Sequence, residues 1–257
     1  MMKAVFFDVD GTLISHKLGL VPESTKTALD KLSEKGIKRI IATGRHIVEL
    51  SKLPVSNIKF DGYVLLNGQL CFDAYGNIIS ENPITGEDKD RIVKLFHESS
   101  VPIMLVEKDC LYINFVNQYV ELAQQAISTP VPEIKAYTGN EIYQAVAFVK
   151  KGDEERFSSL LPGCTVTRWN DYAIDIVAAS GGKVSGIQEY LKQNNIKREE
   201  TMAFGDGEND IEMLKYVRIG VAMGNADAHV KEIADYVTAS VDEGGIIDAL
   251  IALKIIN

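Results

Sequence analysis

Short apolar runs alternate with helix-length amphipathic segments at both ends of the chain, and this rhythm restricts the possible folds more than any other feature. Strand-like runs at residues 4–7 and 38–42 flank a helical segment at 23–35. The C-terminal third repeats the pattern, with strands predicted at 201–204 and 218–221 and helices at 183–193, 210–216, 226–234 and near 246–253. Strands joined through helices run parallel. We therefore expect the two ends to form one α/β domain, a doubly wound, Rossmann-like core around a parallel sheet.

The middle of the chain follows a different pattern. After a helical segment at 88–98, β-rich runs follow one another without regular helices between them, at 103–106, 111–115, 144–150, 165–167 and 173–177. Such runs favour a mixed, antiparallel α/β sheet. We expect an inserted α/β domain at residues 83–178, a core domain at 1–82 plus 179–257, and hinges at 81–83 and 178–182.

Composition and charge exclude several classes of partner. The 257 residues are 46% hydrophobic, enough for one large core or two modest ones. The net charge of −9 argues against an extended nucleic-acid interface but allows a small anionic ligand at a local positive site. The N-terminal apolar run is too short for a signal peptide, and no stretch approaches the ~18 apolar residues of a membrane span. We expect a cytoplasmic protein, monomeric or weakly oligomeric, with no nucleic-acid or membrane partner.

Cysteine usage points to neither a zinc site nor a disulfide framework. Cys71, Cys110 and Cys164 are widely spaced, and the sequence has no CxxC pair. We interpret all three as buried thiols in a reducing compartment.

Polar residues follow the predicted strands of the core at the points where they end. Asp8 and Asp10 follow the first strand, Thr43 and Gly44 the second, and the segment 205–210, GDGEND, a later one. Lys183 opens the helix after the second hinge. Ligands of open α/β sheets bind beyond the carboxyl ends of the strands, so we expect these groups to converge there.

Converging carboxylates repel one another unless a cation lies between them. Hard oxygen ligands favour Mg²⁺, which binds phosphate beside one or two carboxylates. A lysine, a threonine hydroxyl and backbone N–H groups beside a metal form a phosphate cradle. The pattern therefore predicts a site for a small phosphate ester.

Two aspartates separated by one residue at a strand end can divide the chemistry between them, one reaching phosphorus and the other the leaving oxygen. Asp8 is expected to attack phosphorus and form an aspartyl phosphate, while Asp10 protonates the leaving alkoxide and later activates water. Thr43, Lys183 and Mg²⁺ would stabilise the equatorial oxygens. Arg45 either assists phosphate binding or caps a helix, and Asn67 is interpreted as a turn residue before Gly68.

These motifs resemble those of the haloacid dehalogenase (HAD) superfamily of phosphatases. The segment 8–12, DVDGT, resembles its first motif, 43–45, TGR, its second, Lys183 its third, and 205–210 its fourth. The later segments 221–226, VAMGNA, and 242–245, DEGG, are similar to the Cof-type subgroup, which carries a large α/β cap (class IIB) between the second and third motifs. One departure is that the glycine expected directly after the third-motif lysine is delayed to Gly186.

The resemblance implies roles for individual residues. Asp8 and Asp206 would bind Mg²⁺ through their side chains and Asp10 through its backbone carbonyl. Asn209 would support the phosphate together with Thr43, Gly44 and Lys183. Asp210, with Arg45 in a further supporting role, would hold the loop and the water shell of the metal.

Two other functions remain open from the sequence. A phosphomutase, such as a phosphomannomutase, shares the cap type and the paired aspartates but returns the phosphoryl group to a sugar. A non-catalytic phosphoreceiver also uses acidic residues, Thr and Lys around Mg²⁺, but such modules are small single domains without a large insertion. A phosphatase acting on a sugar phosphate or related metabolite is the favoured interpretation.

Overall fold

A computed structural model describes residues 1–98, 100–127 and 129–257. The chain divides into two compact units, one formed by Met1–Glu81 with Gly182–Asn257 and the other by Asn82–Gly181. We call them the core unit and the inserted unit. Within the described residues, every helix is too short or too polar to cross a membrane.

The chain forms thirteen strands and nine α-helices within the described residues. The strands are β1 (Ala4–Phe7), β2 (Lys38–Ala42), β3 (Gly62–Leu65), β4 (Leu70–Asp73), β5 (Ile78–Glu81), β6 (Ile103–Val106), β7 (Leu111–Ile113), β8 (Gln144–Ala147), β9 (Cys164–Asn170), β10 (Ala173–Ala178), β11 (Thr201–Gly205), β12 (Ile219–Ala222) and β13 (Tyr236–Val237). The helices are α1 (Glu23–Glu34), α2 (Ile47–Leu50), α3 (Gly86–Glu98), α4 (Gln118–Ala126), α5 (Glu154–Leu160), α6 (Lys183–Gln193), α7 (Ile211–Tyr216), α8 (Ala228–Ile233) and α9 (Gly245–Ala252).

The core unit is built on one sheet with the strand order β13-β12-β11-β1-β2-β3-β4-β5. Strands from β13 to β3 run parallel to their neighbours, whereas β4 and β5 are antiparallel additions at one edge. The expected doubly wound α/β core is confirmed, and the turn expected at Asn67 and Gly68 leads into an antiparallel edge formed by β4 and β5. A hairpin produces it, because only four residues separate β3 from β4, too few for a crossover.

The strand β1 lies at the centre of this sheet and is fully buried. The phenyl ring of Phe7, the last residue of β1, stacks on the ring of Phe204 in β11. The ring centroids are 5.4 Å apart, and the angle between the ring planes is 6°. Such a strand, covered on both faces, is apolar at every position, which is the pattern seen at residues 4–7. The first residue beyond this run is Asp8, which therefore emerges at the carboxyl edge of the sheet.

The inserted unit contains an antiparallel sheet with the order β7-β6-β8-β10-β9. Its apolar core includes Phe96 of α3, Tyr112 of β7 and Phe157 of α5. The antiparallel, mixed character expected of the insertion is thus observed. Helices α4 and α5 were not predicted, although Asn117 caps the first by accepting hydrogen bonds from the N–H groups of Tyr119 and Val120.

The cysteines are free, but only Cys71 is buried. Cys110 and Cys164 are partly exposed, so the interpretation of all three as buried thiols is wrong for these two. Both lie in the inserted unit, where Cys164 begins the edge strand β9, which has a neighbour on one side alone.

Gly68 is a position at which the core unit cannot tolerate a side chain. Its φ is +90°, and a Cβ there would lie 2.0 Å from the carbonyl oxygen of Gly182. Gly76 has a similar φ of +83° with open space around it. We expect Gly76→Ala to cost about 1 kcal/mol of unfolding free energy through its backbone alone. Gly68→Ala is expected to cost a further ~2–3 kcal/mol because its obstacle is backbone.

Urea unfolding of the two alanine variants measures this difference directly. Equal losses of stability at both glycines would show that the approach of Gly182 to Gly68 is looser than described.

Candidate active site

The site is assembled at the carboxyl edge of three neighbouring parallel strands, β11, β1 and β2. The N–H group of Asp8 donates to the Phe204 carbonyl at 3.0 Å, so the parallel ladder continues to the first residue of the site. The register pairs Phe7 with Phe204 and with Ile41. The polar segments that follow these strands are therefore adjacent, as expected for an open α/β sheet.

Lys183 is the first residue of α6, and its side chain is buried, at 3% exposure. Its Nζ lies 2.7 Å from Oδ1 of Asp8 and 2.6 Å from Oδ1 of Asp210. Burial lowers the pKa of the ammonium group, but attraction to Asp210 and Asp8 outweighs it, and the pKa is raised. The residue is thus a fixed cation between two carboxylates and not a solvated helix residue.

Asp210 is fully buried and ties the loop after β11 to this lysine. While Oδ1 binds Lys183, Oδ2 accepts hydrogen bonds from the N–H groups of Asp206 at 3.0 Å and Gly207 at 2.9 Å. With both oxygens used in this way, Asp210 fixes the conformation of the loop that carries Asp206.

Asp206 receives one side-chain hydrogen bond on each carboxylate oxygen. Thr12 Oγ1 donates to Oδ1 at 2.8 Å, and Asn225 Nδ2 donates to Oδ2 at 3.2 Å. Burial raises the pKa of Asp206 to about 6, with the charge of Asp210 adding to this and the Thr12 hydrogen bond opposing it. Gly11, with φ +80°, allows the close approach, since a Cβ there would lie 2.1 Å from Oδ2.

The carboxylates of Asp8, Asp206 and Asp210 form a group that fits a divalent cation. Ligand oxygens from the three residues lie within 4.8 Å of one another. Burial raises the pKa of Asp8 well above its ordinary value, Lys183 opposes this, and the charges of Asp210 and Asp206 reinforce it. A hard divalent cation would relieve this excess of negative charge, and its preferred ligands are oxygens.

Asp10 is held by Arg45. The guanidinium donates from Nε to Oδ2 at 2.9 Å and from Nη2 to Oδ1 at 3.0 Å, a bidentate pair that fixes the plane of the carboxylate. Nη1 of Arg45 also contacts Glu49 at 3.5 Å. The sequence allowed two roles for Arg45, phosphate binding or helix capping. In the structure its side chain orients the carboxylate of Asp10.

Thr43 follows β2 and is buried, and its Oγ1 accepts a hydrogen bond from the Arg45 N–H group at 3.2 Å. Next to it, a Cβ on Gly44 would lie 3.2 Å from the Asn67 amide nitrogen. Asn209, at the loop after β11, donates to Asn67 Oδ1 at 3.3 Å. The predicted phosphate-binding residues Gly44 and Asn209 thus share a neighbour, Asn67.

Two asparagines were not selected from the sequence as site residues. Asn67 was interpreted as a turn residue, and it does lie in the turn between β3 and β4 with φ 52°, but its side chain also faces Gly44 and Asn209. Asn225 follows β12 and contacts Asp206. Both come shortly after parallel strands, so the strand-end rule that selected Asp8 also covers them.

The sheet and the clustered carboxylates together define a class of enzyme. A family model described as haloacid dehalogenase-like hydrolase matches residues 5–250, and the chain belongs to this family. It is therefore a hydrolase of phosphoric monoesters, and the predicted family, fold class and enzyme class are confirmed.

Individual relatives span the whole chain. A Bacillus subtilis (strain 168) protein named "Putative phosphatase YkrA" is 33% identical, with 99% of each chain covered. BT1666, a HAD-superfamily phosphatase from Bacteroides thetaiotaomicron, is 33% identical with a TM-score of 0.91, covering 100% of this chain and 96% of its own. The HAD subclass IIB sugar phosphatase BT4131 is 36% identical with a TM-score of 0.87, covering 99% of this chain and 100% of its own.

The raised pKa of Asp206 predicts a pH dependence of stability. In the folded, metal-free protein the pKa is about 6, against an ordinary value of 3.8. Because the folded state binds the proton of Asp206 more tightly than the unfolded state, protonation of Asp206 adds roughly 3 kcal/mol to the free energy of unfolding. This stabilisation is complete below about pH 4 and is lost as the pH rises through about 6. The unfolding free energy of the unmodified protein in chelator should therefore fall, relative to Asp206→Asn, over this range.

Parallel pH profiles of the two proteins report the titration of Asp206 together with its effect on Asp8, whose pKa the charge of Asp206 also raises. Identical profiles would mean that the carboxylate of Asp206 is not desolvated as described.

Proposed function

We propose that this protein is a Mg²⁺-dependent phosphatase that hydrolyses small phosphate monoesters, such as sugar phosphates, through an aspartyl-phosphate intermediate on Asp8. The observation that carries the proposal is the contact of buried Asp8 with Lys183 beside Asp206 and Asp210. A nucleophile, a fixed cation and further carboxylates at one strand edge are the parts that phosphoryl transfer to an aspartate needs.

In the first step, a carboxylate oxygen of Asp8 forms a bond to phosphorus in line with the ester oxygen. The phosphorus–oxygen bond of the ester breaks, and the departing alkoxide takes a proton from Asp10. Lys183 holds Asp8 through Oδ1 and places positive charge beside the transferring group. Thr43, Gly44 and Asn209 are proposed to bind the phosphoryl oxygens.

In the second step, Asp10 takes a proton from a water molecule, and the resulting hydroxide attacks phosphorus. The bond between phosphorus and Asp8 breaks, so inorganic phosphate leaves and both aspartates return to their starting states. The bidentate contact with Arg45 keeps the plane of the Asp10 carboxylate fixed while it exchanges these protons.

Asp8 and Asp206 would hold the Mg²⁺ ion through their side chains, and Asp10 through its backbone carbonyl. When bound, the ion supplies positive charge that stabilises the phosphoryl oxygens and offsets the repulsion among the carboxylates.

A sugar phosphate or related metabolite is the proposed substrate class. BT4131, 36% identical along nearly the whole chain, is a sugar phosphatase. The inserted unit is proposed to act as the cap that selects among such esters. Hydrolysis, in place of transfer back to a sugar, is favoured by the phosphatase names of these relatives.

A phosphate-release screen over a metabolite panel, with Mg²⁺ and with chelator, tests the proposal. We expect inorganic phosphate to be released from sugar phosphates when Mg²⁺ is present and not when the chelator has removed it. Rapid isomerisation of sugar phosphates with little release would identify a phosphomutase, and a stable phosphoprotein with no turnover would identify a phosphoreceiver. Equal rates in chelator would contradict the metal requirement.

A further inference from the structure

Asn225 links three segments of the core unit that are far apart in sequence. Its Nδ2 donates to the Gly11 carbonyl at 2.8 Å and to Asp206 Oδ2 at 3.2 Å, and its Oδ1 accepts from the Val241 N–H group at 3.0 Å. One amide group thus contacts the loop after Asp10, the loop after β11 and the segment before α9.

The contact to Asp206 acts on the orientation of its carboxylate. A carboxylate offers about four lone-pair positions. Thr12 occupies one on Oδ1 and Asn225 one on Oδ2, so the plane of the group is set from both sides while each oxygen keeps a free lone pair. Donors that hold a ligating carboxylate in this way lower the cost of ordering it when a metal binds.

The contact to Gly11 acts on the other side of the proposed metal site, at the backbone of the Asp10–Gly11 loop. Gly11 follows Asp10 directly, and its position against Asp206 leaves no room for a Cβ. By donating to the Gly11 carbonyl, Asn225 fixes the spacing between the backbone at Asp10 and the side chain of Asp206, which are two of the proposed ligand sources.

We propose that Asn225 is a positioning residue for the divalent cation, which sets the Asp206 carboxylate and the backbone of the Asp10–Gly11 loop in the geometry that the ion requires. The proposal rests on the proposed function, since it presupposes that Mg²⁺ binds at this edge of the sheet. It assigns no contact between Asn225 and the ion or the substrate.

Ser15 offers a matched control. Its hydroxyl donates to Asp242 Oδ1 at 2.5 Å and so joins the same loop to the same C-terminal segment, without contacting Asp206. If Asn225 acted only as a structural tether, Ser15→Ala and Asn225→Ala would have similar consequences. If Asn225 positions the metal ligands, the variants differ in metal affinity.

Titration calorimetry of Mg²⁺ into the full-length, metal-free protein measures that affinity without turnover. Asn225→Ala is expected to raise the dissociation constant about 10-fold or more, whereas Ser15→Ala leaves it within about twofold. The Mg²⁺ concentration for half-maximal phosphate release should rise in parallel, with little change in KM for the ester at saturating Mg²⁺. Circular dichroism confirms folding, and Asn225→Ser, which removes less volume, replaces the alanine variant if that variant does not fold.

The outcomes separate the two proposals. If the unmodified protein binds Mg²⁺ and a folded Asn225 variant binds it with the same affinity, the role of Asn225 is overturned while the metal site stands. The same conclusion follows if Ser15→Ala weakens Mg²⁺ binding as much as the Asn225 variant does. Absence of Mg²⁺ binding by the unmodified protein would overturn the proposed metal site, and the role of Asn225 with it.

Discussion

Asp8→Asn is expected to reduce the rate of phosphate release at least ~10³-fold, because an amide cannot take the place of the carboxylate that is proposed to form the aspartyl phosphate. The measurement is steady-state release of inorganic phosphate from the best substrate of the panel, in saturating Mg²⁺. Asp30→Asn, the same chemical change at an exposed position of α1, is the control and should keep full activity.

Loss of activity in Asp8→Asn is not expected to reflect unfolding. Burial, with the neighbouring carboxylates, outweighs the attraction of Lys183 and raises the pKa of Asp8, so its charged form is disfavoured; Lys183 also keeps Asp210 as a partner, and the neutral amide should therefore leave the metal-free protein folded. A variant that retains full activity would remove Asp8 from the mechanism. An unfolded variant would contradict the stability expected of the neutral amide at this buried position.

Lys183→Met is expected to abolish activity and also to destabilise the fold. Methionine nearly matches the length of lysine, but it leaves the buried carboxylates of Asp8 and Asp210 without their shared cation. Removing one partner of a buried ion pair typically costs ~3–5 kcal/mol. We expect a loss of this size in the free energy of unfolding at neutral pH, measured in urea with chelator present.

The matched control lies on the same helix. Lys192 is 78% exposed and contacts Glu189 at 3.4 Å, a surface pair within α6. Lys192→Met should change stability by less than about 1 kcal/mol and leave activity unchanged. Similar losses in both variants would show that the effect belongs to the helix and not to the buried cation.

The central strands of the core unit could be predicted because their burial leaves a direct mark on the sequence. The run at β1 is apolar throughout, and its observed bounds, Ala4–Phe7, match the predicted ones. Elements at the periphery were harder to predict. Strand β9 extends from Cys164 to Asn170, beyond the predicted 165–167, because this edge strand consists of partly and fully exposed residues and shows no continuous apolar run.

In helix α6, packing explains why the glycine after Lys183 departs from the position that the family resemblance predicts. The glycine that the resemblance placed directly after Lys183 occurs instead at Gly186, one turn into the helix. A Cβ there would lie 2.6 Å from Val64 Cγ1 and 3.1 Å from the Cα of Gly68. The helix thus lies close to β3 and its turn at this residue, which is a consequence of tertiary packing.

By itself the sequence determined which residues lie at the ends of the parallel strands. That follows from local physics, because a buried strand must be apolar and the first polar residues after it must leave the sheet at its carboxyl edge. Asp8, Thr43 and the segment 205–210 were selected on this ground, and the family resemblance then singled out Asp206 within that segment. Tertiary structure decided which of these groups touch and what each contact does. Lys183 meets Asp8 across 175 residues of chain, and Asn225 meets Gly11 across 214. Contacts of this kind depend on strand order, on the burial that shifts pKa values and on helix packing, all of which arise only when distant segments fold together.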